Sequence, residues 1–191
     1  MKDFKKPMRI FVFDDNPATR KYIKSYWENK GHAVTSCHSC EKAVKIINNN
    51  VFDLYIIDLS ASPKGLENED FISENGFFLT GWFLFKDHIL VNDEEAICKT
   101  VFYSEHISEL KSFIKKSPYA YEYRKKLHKY FQLLGAFVYK SETLESLEDF
   151  IEDKNVIIDK LRELADDKMI GELKGLEDEI KQMRKDRFIL N

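Results

Sequence analysis

Short apolar runs alternate with stretches of helical spacing along most of this chain. The run at 52–60 places Leu, Tyr and two Ile together, without the polar alternation that a half-exposed strand would show. Such a run is typical of a parallel strand that is covered on both faces. The predicted strands cover residues 8–13, 33–37, 52–60, 97–104 and 136–139.

Helical patterns fill the intervals between these strands. Asn16 suits the N-cap of the first helix, Pro17 suits its first helical position, and Gly31 ends it. The remaining helical stretches cover residues 39–50, 77–92, 107–134 and 141–151. Because five strands alternate with five helical stretches, the pattern predicts an α/β fold with a doubly wound, five-stranded parallel sheet.

Two connections depart from a minimal fold of this kind. The polar, turn-rich segment 60–75 after the third strand is longer than most loops, and Pro118 interrupts the helical pattern between the fourth and fifth strands. The aromatic segment 77–85 that follows the long loop is predicted to lie mainly in the core, although some of its rings could meet a partner.

An apolar stripe at spacings of three and four residues continues beyond residue 153. It predicts an amphipathic helical extension over 154–191. An unbroken helix over 142–187 would be roughly 70 Å long at ~1.5 Å per residue, too long to lie against the domain throughout. The extension therefore either folds back on its own domain or forms a homodimer or docking contact, and we expect self-association or docking through the portion beyond Gly171. The stripe consists of Ile158, Leu161, Ala165, Met169, Leu173, Leu176, Ile180 and Met183.

Composition and charge narrow the classes of partner. The chain has 191 residues, of which 30 are basic and 33 acidic, giving a formal net charge of -3. This balance provides no broad positive surface for nucleic acid or an anionic membrane. No apolar run approaches the ~20 residues of a bilayer span, and the N-terminal residues lack a secretory pattern. We therefore expect a cytoplasmic protein that binds neither nucleic acid nor membrane.

The three cysteines are predicted to be reduced thiols. Their number is odd, and the sequence shows no export signal. Cys37 and Cys40 have the spacing of half a zinc site, but a structural zinc site needs four ligands and no second pair exists.

Polar residues stand at the carboxyl ends of four of the five predicted strands: Asp14 and Asp15, Asp58, Ser104, and Lys140. The carboxyl ends of parallel strands share one edge of the sheet, so these side chains should meet there. Three close carboxylates repel one another, by roughly 4 kcal/mol per pair at ~4 Å and an effective dielectric near 20, and this favours a bound cation such as Mg²⁺. A hydroxyl and an ammonium can hold phosphoryl oxygens. The set predicts a phosphoryl-transfer site with Asp58 as the nucleophile.

The order and context of these five residues resemble the receiver domain of two-component response regulators. The resemblance covers about residues 7–153 and implies insertions after the third and fourth strands. It implies the flavodoxin-like sheet of that family. It also implies that a histidine kinase or phosphotransfer protein donates a phosphoryl group to the aspartate, and that a downstream protein partner reads the result.

The resemblance also implies roles for individual residues at the metal site. Asp58 matches the phosphoacceptor and Asp15 a direct Mg²⁺ ligand, while Asp14 would act mainly through water. The backbone carbonyl of Ser60 would complete the protein ligands.

A conformational switch is implied in the same way. Phe137 matches the switch aromatic that moves when the hydroxyl of Ser104 turns toward the phosphoryl group, and His106 lies where the family tunes the access of water. Ser141 departs from the family pattern, because proline usually follows the lysine. The insertions lie beside the site and the output face, so the downstream partner is expected to be a non-standard one.

Two functional hypotheses follow. The first is a phosphoacceptor receiver, which is not an enzyme beyond catalysing its own phosphoryl transfer and autodephosphorylation. The second is a receiver-like adaptor that assembles proteins without phosphorylation. A haloacid-dehalogenase-like phosphatase is rejected, because Asn16 stands where its second aspartate would be.

Overall fold

A computed structural model describes residues 6–61, 79–93, 95–110, 126, 129, 131, 136–140, 144–145, 147–149, 151, 171, 175–176, 178–180 and 182. Predictions for the insertion after the third strand, for Pro118, for Ser141 and for the stripe residues other than Leu176 and Ile180 lie outside these residues. The proposed division into 7–153 and 154–191 stays a prediction.

The predicted parallel sheet is confirmed. Its five strands run in the order β2-β1-β3-β4-β5, and every neighbouring pair is parallel. The chain therefore reverses its winding beside β1, and the ends of β1 and β3 lie next to each other at the crevice where open α/β sheets place ligands. The strands are β1 (Arg9–Phe13), β2 (Ala33–Cys37), β3 (Leu54–Ile57), β4 (Thr100–Tyr103) and β5 (Phe137–Val138).

The first two helices begin as the sequence predicts. The Asn16 side chain accepts hydrogen bonds from the backbone N–H groups of Ala18 (2.9 Å) and Thr19 (3.3 Å), which caps α1. Gly31, with φ of 87°, ends that unit in the left-handed region. These helices are α1 (Pro17–Glu28) and α2 (Cys40–Ile47).

Among the described residues between β3 and β4, which begin again at 79, there are four short helical segments. A continuous run comprises α3 (Thr80–Phe83), a π-helical segment (Leu84–Ile89) and α4 (Leu90–Asn92), and α5 (Ala96–Lys99) follows. The fourth strand is confirmed, but its predicted start at residue 97 is wrong, because residues 96–99 are helical and β4 begins at Thr100. The Asp93 carboxylate accepts from the backbone N–H of Glu95 (3.1 Å) and starts a turn, while the Thr100 hydroxyl donates to the Ala96 carbonyl (2.7 Å) and closes it.

Each face of the sheet has its own core. Alternate residues of each central strand enter opposite clusters, so that Phe11 and Tyr55 lie on one face while Val12 and Ile56 lie on the other. The strands are therefore buried on both sides, as the runs without alternation predicted. The first core includes an aromatic group with ring centroids 5.1–6.3 Å apart, which consists of Trp82, Phe85, Phe102 and Phe131. The prediction that the aromatic segment is mainly core is confirmed for its described members Trp82, Phe83 and Phe85.

The described positions between 171 and 182 are all helical. Leu176 and Ile180 are buried in the first core. At these two positions the extension folds back on its own domain, whereas self-association stays a prediction. Among the described helices, none is long and apolar enough to cross a membrane.

Candidate phosphoacceptor site

Backbone hydrogen bonds continue the sheet one residue past the strand ends and set the level of the predicted site residues. The N–H of Asp14 donates to the Cys37 carbonyl (3.3 Å), and that of Asp58 donates to the Phe13 carbonyl (2.8 Å). The N–H of Ser104 donates to the Val138 carbonyl (3.0 Å). The backbones of Asp14, Asp58 and Ser104 are therefore fixed by hydrogen bonds to neighbouring strands, and their side chains meet at one edge of the sheet.

Both oxygens of the Asp58 carboxylate are held by donors. Oδ1 accepts from the hydroxyl of Ser104 (2.7 Å) and the backbone N–H of Ser60 (3.2 Å). Oδ2 accepts from the ammonium of Lys140 (2.6 Å). Two predicted partners, contributed from the ends of β4 and β5, thus contact the predicted nucleophile directly.

Lys140 also joins Asp58 to Asp14, since its Nζ lies 2.9 Å from Asp14 Oδ2. The remaining oxygen of Asp14, Oδ1, accepts from the backbone N–H of Asn16 (2.8 Å). A single ammonium therefore neutralises part of the charge of two carboxylates that are almost completely buried. In this arrangement the lysine takes part of the role that a cation would have.

Burial and charge shift two pKa values in this cluster. Burial, together with the neighbouring Asp58 charge, raises the pKa of the Asp14 carboxyl above its ordinary value despite the contact with Lys140. Burial alone would lower the pKa of Lys140, but the carboxylates of Asp58 and Asp14 outweigh it and raise that pKa. The ammonium form is therefore favoured in the folded protein.

The three acidic residues fit a divalent cation. One carboxylate oxygen from each of Asp14, Asp15 and Asp58 lies within 4.8 Å of the other two. Asp15 is exposed whereas the other two are buried, so the cluster opens to water on one side. Oxygen donors with access to water suit Mg²⁺, which keeps several of its waters. The prediction that these three aspartates could share a metal is therefore compatible with their positions.

A cleft of about 300 Å³ opens over the cluster. It is lined by polar residues of four strand-to-helix connections, and Ser60 and His106 are among them. The backbone N–H of His106 donates to the Ser104 hydroxyl (3.2 Å), and its ring nitrogen Nδ1 lies 3.7 Å from a carboxylate oxygen of Glu109. The full lining is Asp15, Asn16, Thr19, Asp58, Ser60, Glu105, His106 and Lys140.

The predicted switch aromatic, Phe137, is half-buried beside the site. Its ring stacks on Phe102 with centroids 5.5 Å apart and meets the edge of Phe131 at 6.1 Å. The hydroxyl of Ser104 already points at Asp58 in this arrangement. The ring of Phe137 therefore packs against the first core, while the hydroxyl of Ser104 donates to Asp58.

Gly81 is a site residue that the sequence analysis overlooked. A Cβ at this position would lie 1.9 Å from the carbonyl oxygen of Asp58 and 2.7 Å from Cγ2 of Ile57. The N–H of Gly81 donates to the Leu59 carbonyl (3.1 Å), and the neighbouring Thr80 hydroxyl donates to the Ala61 carbonyl (2.6 Å). Helix α3 therefore rests directly on the backbone that carries the nucleophile. A glycine in the middle of the aromatic helical segment 77–85 was the available signal.

Arg20 is a second overlooked residue. Its guanidinium Nη1 donates to the backbone carbonyl of Asp14 at 2.7 Å. This contact ties the second turn of α1 to the acidic turn after β1, so it helps to fix the position of Asp14.

Cys37 and Cys40 are both buried near this edge of the sheet. Burial raises the pKa of each thiol to about 12. Both therefore carry their protons at neutral pH, and neither forms a disulfide in the structure.

Similarity to known proteins is found at the level of structure. No family model and no curated protein matches the sequence. The chain is similar to the receiver domain of the PhyR response regulator from Erythrobacter litoralis, with a TM-score of 0.53, 12% identity, and coverage of 80% of this chain and 92% of that one. It is similar to the non-phosphorylated HemR receiver domain from Leptospira biflexa, with a TM-score of 0.50, 18% identity, and coverage of 78% and 94%.

A longer structure, NtrX from Brucella abortus, gives a TM-score of 0.52 at 17% identity. The match covers 81% of this chain but only 29% of NtrX. The shared part is therefore one unit of that longer protein. At these identities the likeness concerns the fold.

Proposed function

We propose, from the receiver-domain fold that this chain shares with response regulators, that it is a phosphoacceptor receiver of two-component signalling in the cytoplasm. The observation that carries the proposal is the Asp58 carboxylate, which is held by Ser104 and Lys140 beside two further aspartates. A phosphorylated histidine kinase or phosphotransfer protein would donate the phosphoryl group, and a protein partner would read the outcome.

In the proposed reaction, one oxygen of Asp58 attacks the phosphorus of a phosphohistidine. A bond from carboxylate oxygen to phosphorus forms as the bond from phosphorus to nitrogen breaks, and the imidazole leaves with the electron pair. Mg²⁺, when bound by the aspartates, would offset the charge of the carboxylates and the incoming phosphoryl group. Because each Asp58 oxygen already has a donor, Ser104 and Lys140 can follow the phosphoryl oxygens with little movement.

The test of this proposal is the intact mass of the protein after incubation with acetyl phosphate. We expect one added phosphoryl group when Mg²⁺ is present and none when it is chelated, because three carboxylates and the incoming anion repel one another. Asp58→Asn should abolish the addition. If the Asn variant is modified to the same extent, the acceptor lies elsewhere.

Ser104→Ala should separate acceptance from transmission. The variant keeps the nucleophile and Lys140 but loses the hydroxyl that joins Asp58 to the end of β4. We expect it to accept a phosphoryl group, while amide hydrogen exchange over 136–140 no longer responds to the modification. Ser108→Ala, at an exposed position, is the control and should respond as wild type. An unchanged response in the Ser104 variant would refute its role in the switch.

The adaptor hypothesis keeps one specific observation in its favour. Lys140 contacts both Asp14 and Asp58, so the chain itself supplies part of the positive charge that the cluster needs. If no small donor and no kinase modifies the wild-type protein, assembly without phosphorylation becomes the better account.

A further inference from the structure

The described C-terminal positions form one buried and one exposed helical face. Leu176 and Ile180, four residues apart, are 8% and 2% exposed, while Gly175, Asp178 and Glu179 are exposed. Residues four apart lie on the same side of a helix, so this helix contacts its own domain through that side. We call the described positions between 171 and 182 the C-terminal segment.

An ion pair shows where this segment is seated. Glu179 pairs with Lys126, which lies in helical conformation between β4 and β5. Phe131, five residues later, is also helical and is completely buried. The C-terminal segment is therefore docked beside the part of the chain that carries Phe131.

Phe131 links this docking surface to the switch. Its ring meets Phe102 at 5.1 Å and Phe137 at 6.1 Å, both edge-on, and Phe137 stacks on Phe102. Leu176 and Ile180 belong to the same buried cluster as Phe131 and Phe102. A packed core does not deform continuously. A change in the position of Phe137 would therefore alter the packing against which the C-terminal segment lies.

The docked C-terminal segment is present together with one arrangement of the two predicted switch residues, Ser104 and Phe137. Ser104 donates to Asp58, and its backbone N–H donates to the Val138 carbonyl, next to the inward-packed Phe137. This is the arrangement that a phosphoryl group on Asp58 would also favour, since the same hydroxyl would follow the phosphoryl oxygens.

We propose that the C-terminal segment is an internal ligand of the switch, and that its docking and the phosphorylation of Asp58 favour each other. The proposal rests on the proposed phosphoacceptor function. Because coupling between two binding events is reciprocal, a protein whose segment is undocked should bind a phosphoryl group or its analogue less well. Phosphorylation should in turn hold the segment more tightly.

The test uses the full chain with Mg²⁺ and beryllofluoride, a non-covalent analogue of the phosphoryl group, and measures the dissociation constant by calorimetry. Ile180→Asp places a charge in the buried contact and should undock the segment. We expect beryllofluoride to bind this variant roughly 5-fold or more weakly, which is the lower end of common coupling strengths. Asp178→Asn, on the exposed face of the same helix, should bind as wild type.

Hydrogen exchange over 171–182 supplies the reciprocal measurement. Beryllofluoride should slow exchange there in the wild type and have no such effect in Ile180→Asp. Gly175→Ala adds a Cβ with no atom within 4 Å, so it should strengthen the helix and slow exchange by up to about 5-fold, without weakening the binding of beryllofluoride.

Each outcome decides between the proposals. If the wild type binds no beryllofluoride and accepts no phosphoryl group, the phosphoacceptor function fails and the coupling fails with it. If the wild type binds and the folded Ile180→Asp variant binds equally well with a rapidly exchanging segment, the function stands and the coupling is refuted. Should Ile180→Asp lose its circular dichroism, Leu176→Ala replaces it in the same comparison.

Discussion

Gly81→Ala is expected to lower both the stability of the protein and its capacity to accept a phosphoryl group. The added Cβ would lie 1.9 Å from the carbonyl oxygen of Asp58, and both the helix and the strand end would have to shift. Overpacking of this kind costs roughly 1–3 kcal/mol, and we expect the upper end because the clashing atom is backbone. A displacement of about 1 Å at a reacting group can lower a rate roughly 100-fold.

The measurements for Gly81→Ala are urea unfolding and the rate of phosphoryl addition from acetyl phosphate. Gly175→Ala is the matched control, because its Cβ meets no atom within 4 Å and should not reduce stability. If the Gly81 variant loses stability but accepts the phosphoryl group at the wild-type rate, α3 supports the fold without positioning Asp58.

Lys140→Met should have the second large effect, and the effect should depend on pH. The substitution leaves Asp14 and Asp58 close together without the ammonium that contacts both. Removing one partner of a buried ion pair costs roughly 3–5 kcal/mol, and the open cleft should keep this loss near the lower end. We therefore expect the free energy of unfolding at pH 7 to fall by roughly 3 kcal/mol.

The raised pKa of Asp14 determines how the stability loss in Lys140→Met depends on pH. The pKa of Asp14 is already raised in the folded protein, chiefly by burial, and loss of the ammonium raises it further. A carboxyl whose folded pKa exceeds its unfolded value of about 3.9 costs stability only when ionised, above that value. The difference in the free energy of unfolding between wild type and variant should therefore be large at pH 7 and should decrease as the pH falls toward 4.

Mg²⁺ and an exposed ion pair provide the controls for Lys140→Met. A cation bound by the aspartates would replace the lost charge, so Mg²⁺ should stabilise the variant more than the wild type. Lys45→Met removes an exposed pair with Glu41 and should leave stability nearly unchanged, because solvent screens such a pair. If neither a lower pH nor Mg²⁺ reduces the difference in stability between wild type and Lys140→Met, the lysine side chain stabilises the fold through packing alone.

The sheet and the meeting of its polar strand ends could be predicted because they depend on local patterns. Apolar runs such as 52–60 identify buried parallel strands, and parallel strands place their carboxyl ends at one edge whatever the loops contain. Asp14, Asp58, Ser104 and Lys140 therefore meet although they are far apart in sequence. Their roles in phosphoryl transfer remain predictions.

The features that sequence did not provide depend on contacts between distant atoms. The importance of Gly81 becomes visible only when α3 is laid against the Asp58 carbonyl. The turn at Ala96–Lys99 interrupts an apolar pattern because side chains of Asp93 and Thr100 bond to nearby backbone groups. The spacing of Leu176 and Ile180 could not predict that they pack into the core of their own domain, because the same apolar stripe could equally well pack against a second subunit.

The most direct test of the central claim is to locate the phosphoryl group after treatment with acetyl phosphate and Mg²⁺. Borohydride reduces an aspartyl phosphate but leaves an ordinary carboxylate unchanged, so tandem mass spectrometry of the digested protein identifies the modified residue. We expect reduction at Asp58 alone, and none without Mg²⁺. Reduction at Asp14, Asp15 or a surface carboxylate, or an unmodified Asp58 in protein that carries a phosphoryl group, would contradict the account.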